Sequence, residues 1–304
     1  MLSRRAFLLN TAAFSASSGL SFATERAPVI LKLQRRVIEV SGKPASVCAI
    51  KRKDGAVGYE AVEGSRFRVR VENELAEPSL LHWHGLTPPS DQDGVPGLSG
   101  PAIQPGGAAE YDFPLSFGGT YFMHSHYGFQ ELQLMAAPLI VRDPKRYPDW
   151  QDVTVMLSDF SFRSPQEIYA TLTSGKGAAG SMAGMDMSGD MTGMDMAGMK
   201  MGGMKMGHHG MDHSTMTSGP DLNDVDYDAF LANERTLDDP EIVRIENGGR
   251  VLLRVVNSSA MTAFHVDFGD VETTLVAVDG QDVAPIRGKR FPIAVAQRLD
   301  LLLE

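Results

Sequence analysis

The chain is predicted to be all-β, built as two β-sandwich or barrel domains. Apolar and polar residues alternate over short runs, which is the period of a half-buried strand. Gly- and Pro-rich turns separate those runs at close spacing, and sustained helical periodicity is absent. One strand-bearing stretch recurs: Gly64-Ser65-Arg66-Phe67-Arg68-Val69-Arg70-Val71-Glu72-Asn73 is echoed by Gly249-Arg250-Val251-Leu252-Leu253-Arg254-Val255-Val256-Asn257. A length of 304 residues, 43% of them hydrophobic, suits two ordinary domains with real cores. The formal charge of -10 argues against nucleic-acid binding, which needs a basic face.

Residues 1–23 read as an export signal. Arg4-Arg5 precede an apolar small-residue run to Leu20, and Ser21-Phe22-Ala23 resembles a cleavage site. The paired arginines point to the twin-arginine route, hence to the periplasm. The apolar run is shorter than the roughly 20 residues that span a bilayer, so no membrane span is expected.

The first domain is placed at 24–147. Val29, Leu31 and Leu33 alternate, Val37-Ile38-Glu39-Val40 continues the strand, and Phe67, Val69 and Val71 alternate with arginines. Turns are expected at Pro88–Asp91, Asp93-Gly94-Val95-Pro96-Gly97 and Gln104-Pro105-Gly106-Gly107. Tyr147 to Trp150 is the expected joint. The second domain, 148–304, opens with Val153–Leu157. After an interruption it resumes with strands at 250–257, 264–268, 274–278 and 299–303.

The interruption, 174–220, is of low complexity and is expected to be a disordered surface insertion. The chain has 17 methionines, and 12 of them lie between Met182 and Met216, a stretch without branched or aromatic residues. Met185, Met187, Met194, Met196, Met199, Met201, Met204 and Met206 form Met-x-Met pairs, followed by His208, His209 and His213. Thioethers prefer Cu(I), and imidazole accepts either copper oxidation state. A Met stripe filling a core is the competing reading, but the eight glycines in this window leave no amphipathic period. These residues are therefore read as Cu(I)-recruiting.

His82-Trp83-His84 and His124-Ser125-His126 hold four of the eight histidines. On a strand, residues i and i+2 share a face, so each pair makes an imidazole edge. Two such strands side by side would bring four imidazoles together, a donor set for copper, zinc, nickel or iron. The absence of a carboxylate at matching spacing disfavours non-haem iron. His265, alone on an alternating strand, reads as a hydrogen-bonded structural histidine. Cys48 is the only cysteine, which excludes intrachain disulfides and cysteine metal clusters. Lacking flanking histidines, it reads as a small buried residue.

Taken in order, His82-Trp83-His84-Gly85, Asp93-Gly94-Val95-Pro96-Gly97, Gln104-Pro105-Gly106 and Gly119-Thr120-Tyr121-Phe122-Met123-His124-Ser125-His126 resemble the first domain of the multicopper oxidases. These include laccase-like and copper-resistance enzymes. Ala296-Gln297-Arg298-Leu299-Asp300-Leu301-Leu302 is similar to a strand of the family's second domain. The resemblance implies two cupredoxin-like Greek-key domains. It also implies an oxidoreductase that oxidises Cu(I), and phenols as a further substrate class, while reducing O2 to water in copper tolerance. It makes His82 a type 2 copper ligand and His84, His124 and His126 type 3 ligands. The family's remaining trinuclear ligands, and the His-Cys-His motif of its type 1 copper, lie in a C-terminal domain that has no counterpart here. The expectation is an N-terminal portion, inactive by itself, whose partners are Cu(I)/Cu(II), O2 and that missing C-terminal domain. The alternative is a non-enzymatic periplasmic copper-binding and sequestering protein.

Overall fold

A computed structural model describes residues 27–174 and 225–304. Residues 1–23, expected to be an export signal, and the Met-rich run from Met182 to Met216 lie outside the described residues.

The first sandwich comprises β1 (Val29–Val40), β2 (Lys43–Arg52), β3 (Tyr59–Val62), β4 (Arg66–Asn73), β5 (Leu81–His84), β6 (Ala108–Pro114), β7 (Gly119–Ser125) and β8 (Ala136–Arg142). Its sheets run β2-β1-β4-β6 and β3-β8-β7-β5. The alternation of β4 explains its place: Phe67, Val69 and Val71 are buried, while the intervening arginines face outward. Phe67 centres the core, with ring centroids 4.6 Å from Trp83 and 4.8 Å from Phe113. Cys48 is fully buried in this core, and burial pushes its thiol pKa up.

The second sandwich comprises β9 (Gln151–Phe160), β10 (Ala229–Ala232), β11 (Val251–Asn257), β12 (Phe264–Asp267), β13 (Thr273–Val278), β14 (Gln281–Gly288), β15 (Arg290–Ile293) and β16 (Arg298–Leu303). Six strands form one sheet, β10-β9-β11-β16-β13-β14, and β12-β15 form the other. One helix, α1 (Pro165–Thr173), follows β9. The reading of the sequence omitted it, although its start is written plainly. Ser164 accepts from the Glu167 amide, the Glu167 carboxylate reaches back to the Ser164 amide, and Pro165 takes the first turn.

The sequence echo is a repeat of topology. β4 lies parallel to β1 and antiparallel to β6; β11 lies parallel to β9 and antiparallel to β16. Each copy ends in an asparagine with one task. Asn73 is 1% exposed; its Nδ2 donates to the carbonyls of Glu77 and Ile103, and its Oδ1 accepts from the Leu75 amide. Asn257, fully buried, donates to the carbonyls of Thr262 and Ala294 and accepts from the Ser259 amide. A short side chain carrying both donor and acceptor satisfies backbone groups that the turn leaves unpaired.

A buried polar network joins the sandwiches. Arg254 Nη1 donates to Thr120 Oγ1 at 2.9 Å and to Asp300 Oδ2 at 3.0 Å, while its Nε reaches Asp152. Thr120 also donates to Asp300. At the other end of β9, Val40, Ala45, Val47 and Leu134 of the first sandwich pack on Phe160 and Leu231 of the second.

Asn73→Ala and Asn257→Ala should each lower stability by about 1–3 kcal/mol, because each orphans buried backbone groups. Calorimetry should show a lowered transition for both variants, and an unchanged one for exposed Asn247→Ala. An unaffected Asn257→Ala would refute the shared role.

Candidate metal centre

β5 and β7 pair antiparallel, with His82 opposite His124, Trp83 opposite Met123 and His84 opposite Phe122. Trp83 and Met123 point into the core and are fully buried. The other face therefore carries the imidazoles. His126 lies just beyond the end of β7, where its amide donates to the Leu80 carbonyl and prolongs the ladder by one residue.

The four imidazoles anticipated from the two His-x-His pairs come together. Ligand atoms of His82, His124 and His126 lie within 4.8 Å of one another. His84 joins through His124, its Nδ1 3.3 Å from His124 Nε2. The His82 and His126 rings stack at 4.5 Å. His84 lies over Phe122 at 4.7 Å, which fixes the plane of its ring.

The partners of these rings could not be read from the sequence. His82 Nδ1 lies 2.8 Å from the Asp93 carbonyl and 3.3 Å from its carboxylate, which leaves Nε2 free. His126 hydrogen-bonds the Gly94 backbone. His124 is 6% exposed, and its Nδ1 lies 3.1 Å from Glu131 Oε1, at ion-pair distance but without hydrogen-bond alignment. Gly94, at φ 70°, shows why the Asp-Gly sequence is needed: a Cβ there would fall on the Leu81 carbonyl. That close approach brings the Gln92 carbonyl to Trp83 Nε1 at 2.9 Å and the Asp93 carbonyl to His82. Beneath the site, buried Gln130 accepts from Ser79 and Ser125 and donates to the Pro78 carbonyl, fixing the turn that carries Glu131.

Burial pushes the His84 pKa down to about 3, helped by the Arg298 charge and the neighbouring imidazoles. His126 is lowered too, chiefly by burial. Neutral imidazole is the form that ligates metal. Arg298, from the second sandwich, donates to the Thr120 carbonyl and lies where a Cβ at Gly85 would strike it. The second sandwich thus braces both His-bearing strands next to His84.

Other expected residues fall elsewhere. His265 is exposed on β12, so the reading of it as a hydrogen-bonded structural residue is corrected. The Met-x-Met residues and His208, His209 and His213 lie outside the described residues. A cleft of about 1030 Å³ runs between the β1–β2 hairpin, β8 and β9, and none of the four imidazoles lines it. No helix among the described residues is long and apolar enough to cross a membrane.

Two family models described as multicopper oxidase match residues 33–146 and 151–304. Copper resistance protein A of Pseudomonas syringae pv. tomato is 29% identical over 99% of this chain and 52% of its own length. Copper resistance protein A of Escherichia coli is 31% identical over 80% of this chain and 40% of its own length. The chain therefore spans about half the length of these curated relatives. A multi-copper oxidase from Pseudomonas thermotolerans superposes with a TM-score of 0.64 at 20% identity, covering 90% of this chain and 57% of that one. A blue copper oxidase from Nitrosomonas europaea gives 0.63 at 20% identity, covering 90% and 74%. These solved structures share the fold of cupredoxin-like sandwiches. Since the two family matches lie end to end over the two sandwiches, the chain belongs to the multicopper oxidase family.

Proposed function

We propose that this chain is the copper-holding N-terminal part of an exported multicopper oxidase serving copper tolerance, which oxidises Cu(I), and phenols as a further class, while reducing O2 to water. The observation that carries this reading is the 3.3 Å approach of His84 Nδ1 to His124 Nε2 within a four-imidazole cluster. Two nitrogens bound to one ion at about 2.0–2.1 Å lie close to that far apart. The donor chemistry fits copper: four imidazoles, with the rings of His82 and His126 oriented by the Asp93 and Gly94 backbone and Glu131 lying 3.1 Å from His124. In this reading His82 serves type 2 copper through Nε2, and His84, His124 and His126 serve the type 3 pair. Bound copper supplies one-electron redox chemistry and a site for dioxygen. Burial within the chain keeps His84 and His126 neutral, and the residues around the cluster fix the planes of its rings. The boundary between the domains is placed at Tyr147 to Trp150.

The Met-x-Met pairs with His208, His209 and His213 gather Cu(I), and Arg4-Arg5 direct twin-arginine export to the periplasm. Both statements rest on sequence chemistry. A second reading, copper sequestration without turnover, is favoured by Cys48. The only cysteine sits in the core on β2, in a different sheet from the imidazoles, so it offers them no electron-entry thiolate.

Copper titration under competition should show His124→Ala and His84→Ala weakening the cluster site at least tenfold, with an altered Cu(II) EPR spectrum. Unchanged affinity and spectrum would sink the assignment. An oxygen electrode separates the two readings: oxidase function requires Cu(I)-dependent oxygen uptake by the whole reading frame, lost in His124→Ala. Gly94→Ala should also weaken copper binding, by about 10–100-fold, because it lifts the Asp93 carbonyl from His82.

The metal-free chain should lose stability as pH falls from about 6.5 towards about 3. Unfolded imidazoles protonate near 6.5, whereas folded His84 resists down to about 3, so the unfolded state binds more protons in that window. Above pH 7 this contribution should be flat. Urea midpoints at pH 7.5, 6 and 5 test the slope, and a His84→Asn variant should show a shallower one.

A further inference from the structure

Arg298 opens β16 and is only 4% exposed, yet the sandwich itself does not call for an arginine there. The first sandwich shows why. The Asn73 amide donates to the Gly107 carbonyl as the Asn257 amide donates to the Gln297 carbonyl. Both turns also close alike, Gly107 amide to Gln104 carbonyl and Gln297 amide to Ala294 carbonyl. Arg298 is therefore the counterpart of Ala108, the small residue that opens β6. What Arg298 meets is the other sandwich. Its Nε donates to the Thr120 carbonyl at 3.3 Å and its Nη1 to the Ala296 carbonyl at 3.0 Å, and Nη1 lies 3.0 Å from Asp279 Oδ1. Its Nη2 lies against Gly85, the residue after His84, where any Cβ would strike it. The charge is permanent, because arginine keeps its proton in a protein. It is buried, whereas the Asp279 carboxylate that balances it is half exposed. Its field already reaches the His84 imidazole, whose charged form it disfavours. A metal ion beside that ring meets the same field, and a doubly charged ion meets it at twice the strength of a singly charged one.

We propose that Arg298 sets the oxidation state that copper prefers at His84, its fixed charge disfavouring Cu(II) more than Cu(I) and so raising the reduction potential there. Asp279 is the counterweight, so the second sandwich tunes a site whose ligands all belong to the first. The inference rests on the copper reading above. A unit charge about 10 Å away, at an effective dielectric of about 20, shifts a one-electron equilibrium about tenfold, which is about 60 mV.

Potentiometric titration tests this on the 304-residue protein carrying one equivalent of copper. Small-molecule mediators supply the electron that takes Cu(II) to Cu(I), and Cu(II) EPR reads the cluster. Arg298→Gln should lower the midpoint by about 60 mV, a tenfold change, and Arg298→Lys should stay near the unmodified protein. Asp279→Asn separates charge from structure. Asparagine keeps an oxygen to accept from the Arg298 amide and tolerates the left-handed backbone of Asp279, at φ 54°, so the charge alone is lost. It should raise the midpoint by about 30 mV, a threefold change in the opposite direction. Copper that passes to thioethers on reduction does so alike in every variant, so the differences between variants read the cluster. An Arg298 that only braces the strands predicts no rise in Asp279→Asn. An unmoved or lowered midpoint in that variant overturns the proposal, whatever Arg298→Gln does, and leaves the copper reading standing. An unmodified protein without an imidazole-type Cu(II) signal overturns both.

Discussion

The register of β5 against β7 decides where the chemistry sits. With Trp83 opposite Met123 and His82 opposite His124, one face of the pair is core and the other imidazole. Side chains alternate with a period of two, so a slip of one residue would exchange the faces. Such a slip would expose Trp83 and Met123 and bury imidazoles in an apolar core. An aromatic side chain buries about 150–250 Å², worth about 4–6 kcal/mol at about 25 cal/mol per Å². The apolar face therefore sets the register without help from a metal, and the imidazoles are positioned by what lies behind them.

Precise ring orientation comes from further away. The Asp93-Gly94 loop lies on the β5 backbone, the Gln130 turn presents Glu131 to His124, and Phe122 supports His84. Arg298 adds a contribution from the second sandwich, bracing the Thr120 carbonyl and adding positive charge beside His84. That charge and the burial act in the same direction, since both disfavour an imidazolium. His84 is thus held neutral, ready for a cation, by groups of two sandwiches rather than one.

The all-β class, most strands and the meeting of the four histidines were legible because each follows from local periodicity. Phe67, Val69 and Val71 alternate visibly, and His-x-His on a strand has one geometric outcome. Glu131 beside His124 and the Arg298 charge near His84 were not legible, because each acts across a fold the linear pattern does not encode. The α1 start was legible in Ser164-Pro165-Gln166-Glu167 but is too short to show a helical period. His265 misled because alternation reveals that a strand has two faces without saying which is covered.

The repeat also shows how one residue pair changes its work with its surroundings. Arg70 stands opposite Glu110, and Arg254 stands opposite Asp300 at the matching place. The first pair lies in solvent at 3.1 Å, where such contacts contribute about 0–1 kcal/mol. The second is buried at 3.0 Å against the first sandwich, and Thr120 and Asp152 complete its hydrogen bonds. Burial raises the Asp300 pKa, and Arg254 opposes that rise. Removing one member of a buried pair typically costs about 3–5 kcal/mol, because the other charge is left unpaired. The arginine that decorates the surface of the first copy therefore holds the second copy to it. The strand it grips through Thr120 is β7, which carries His124.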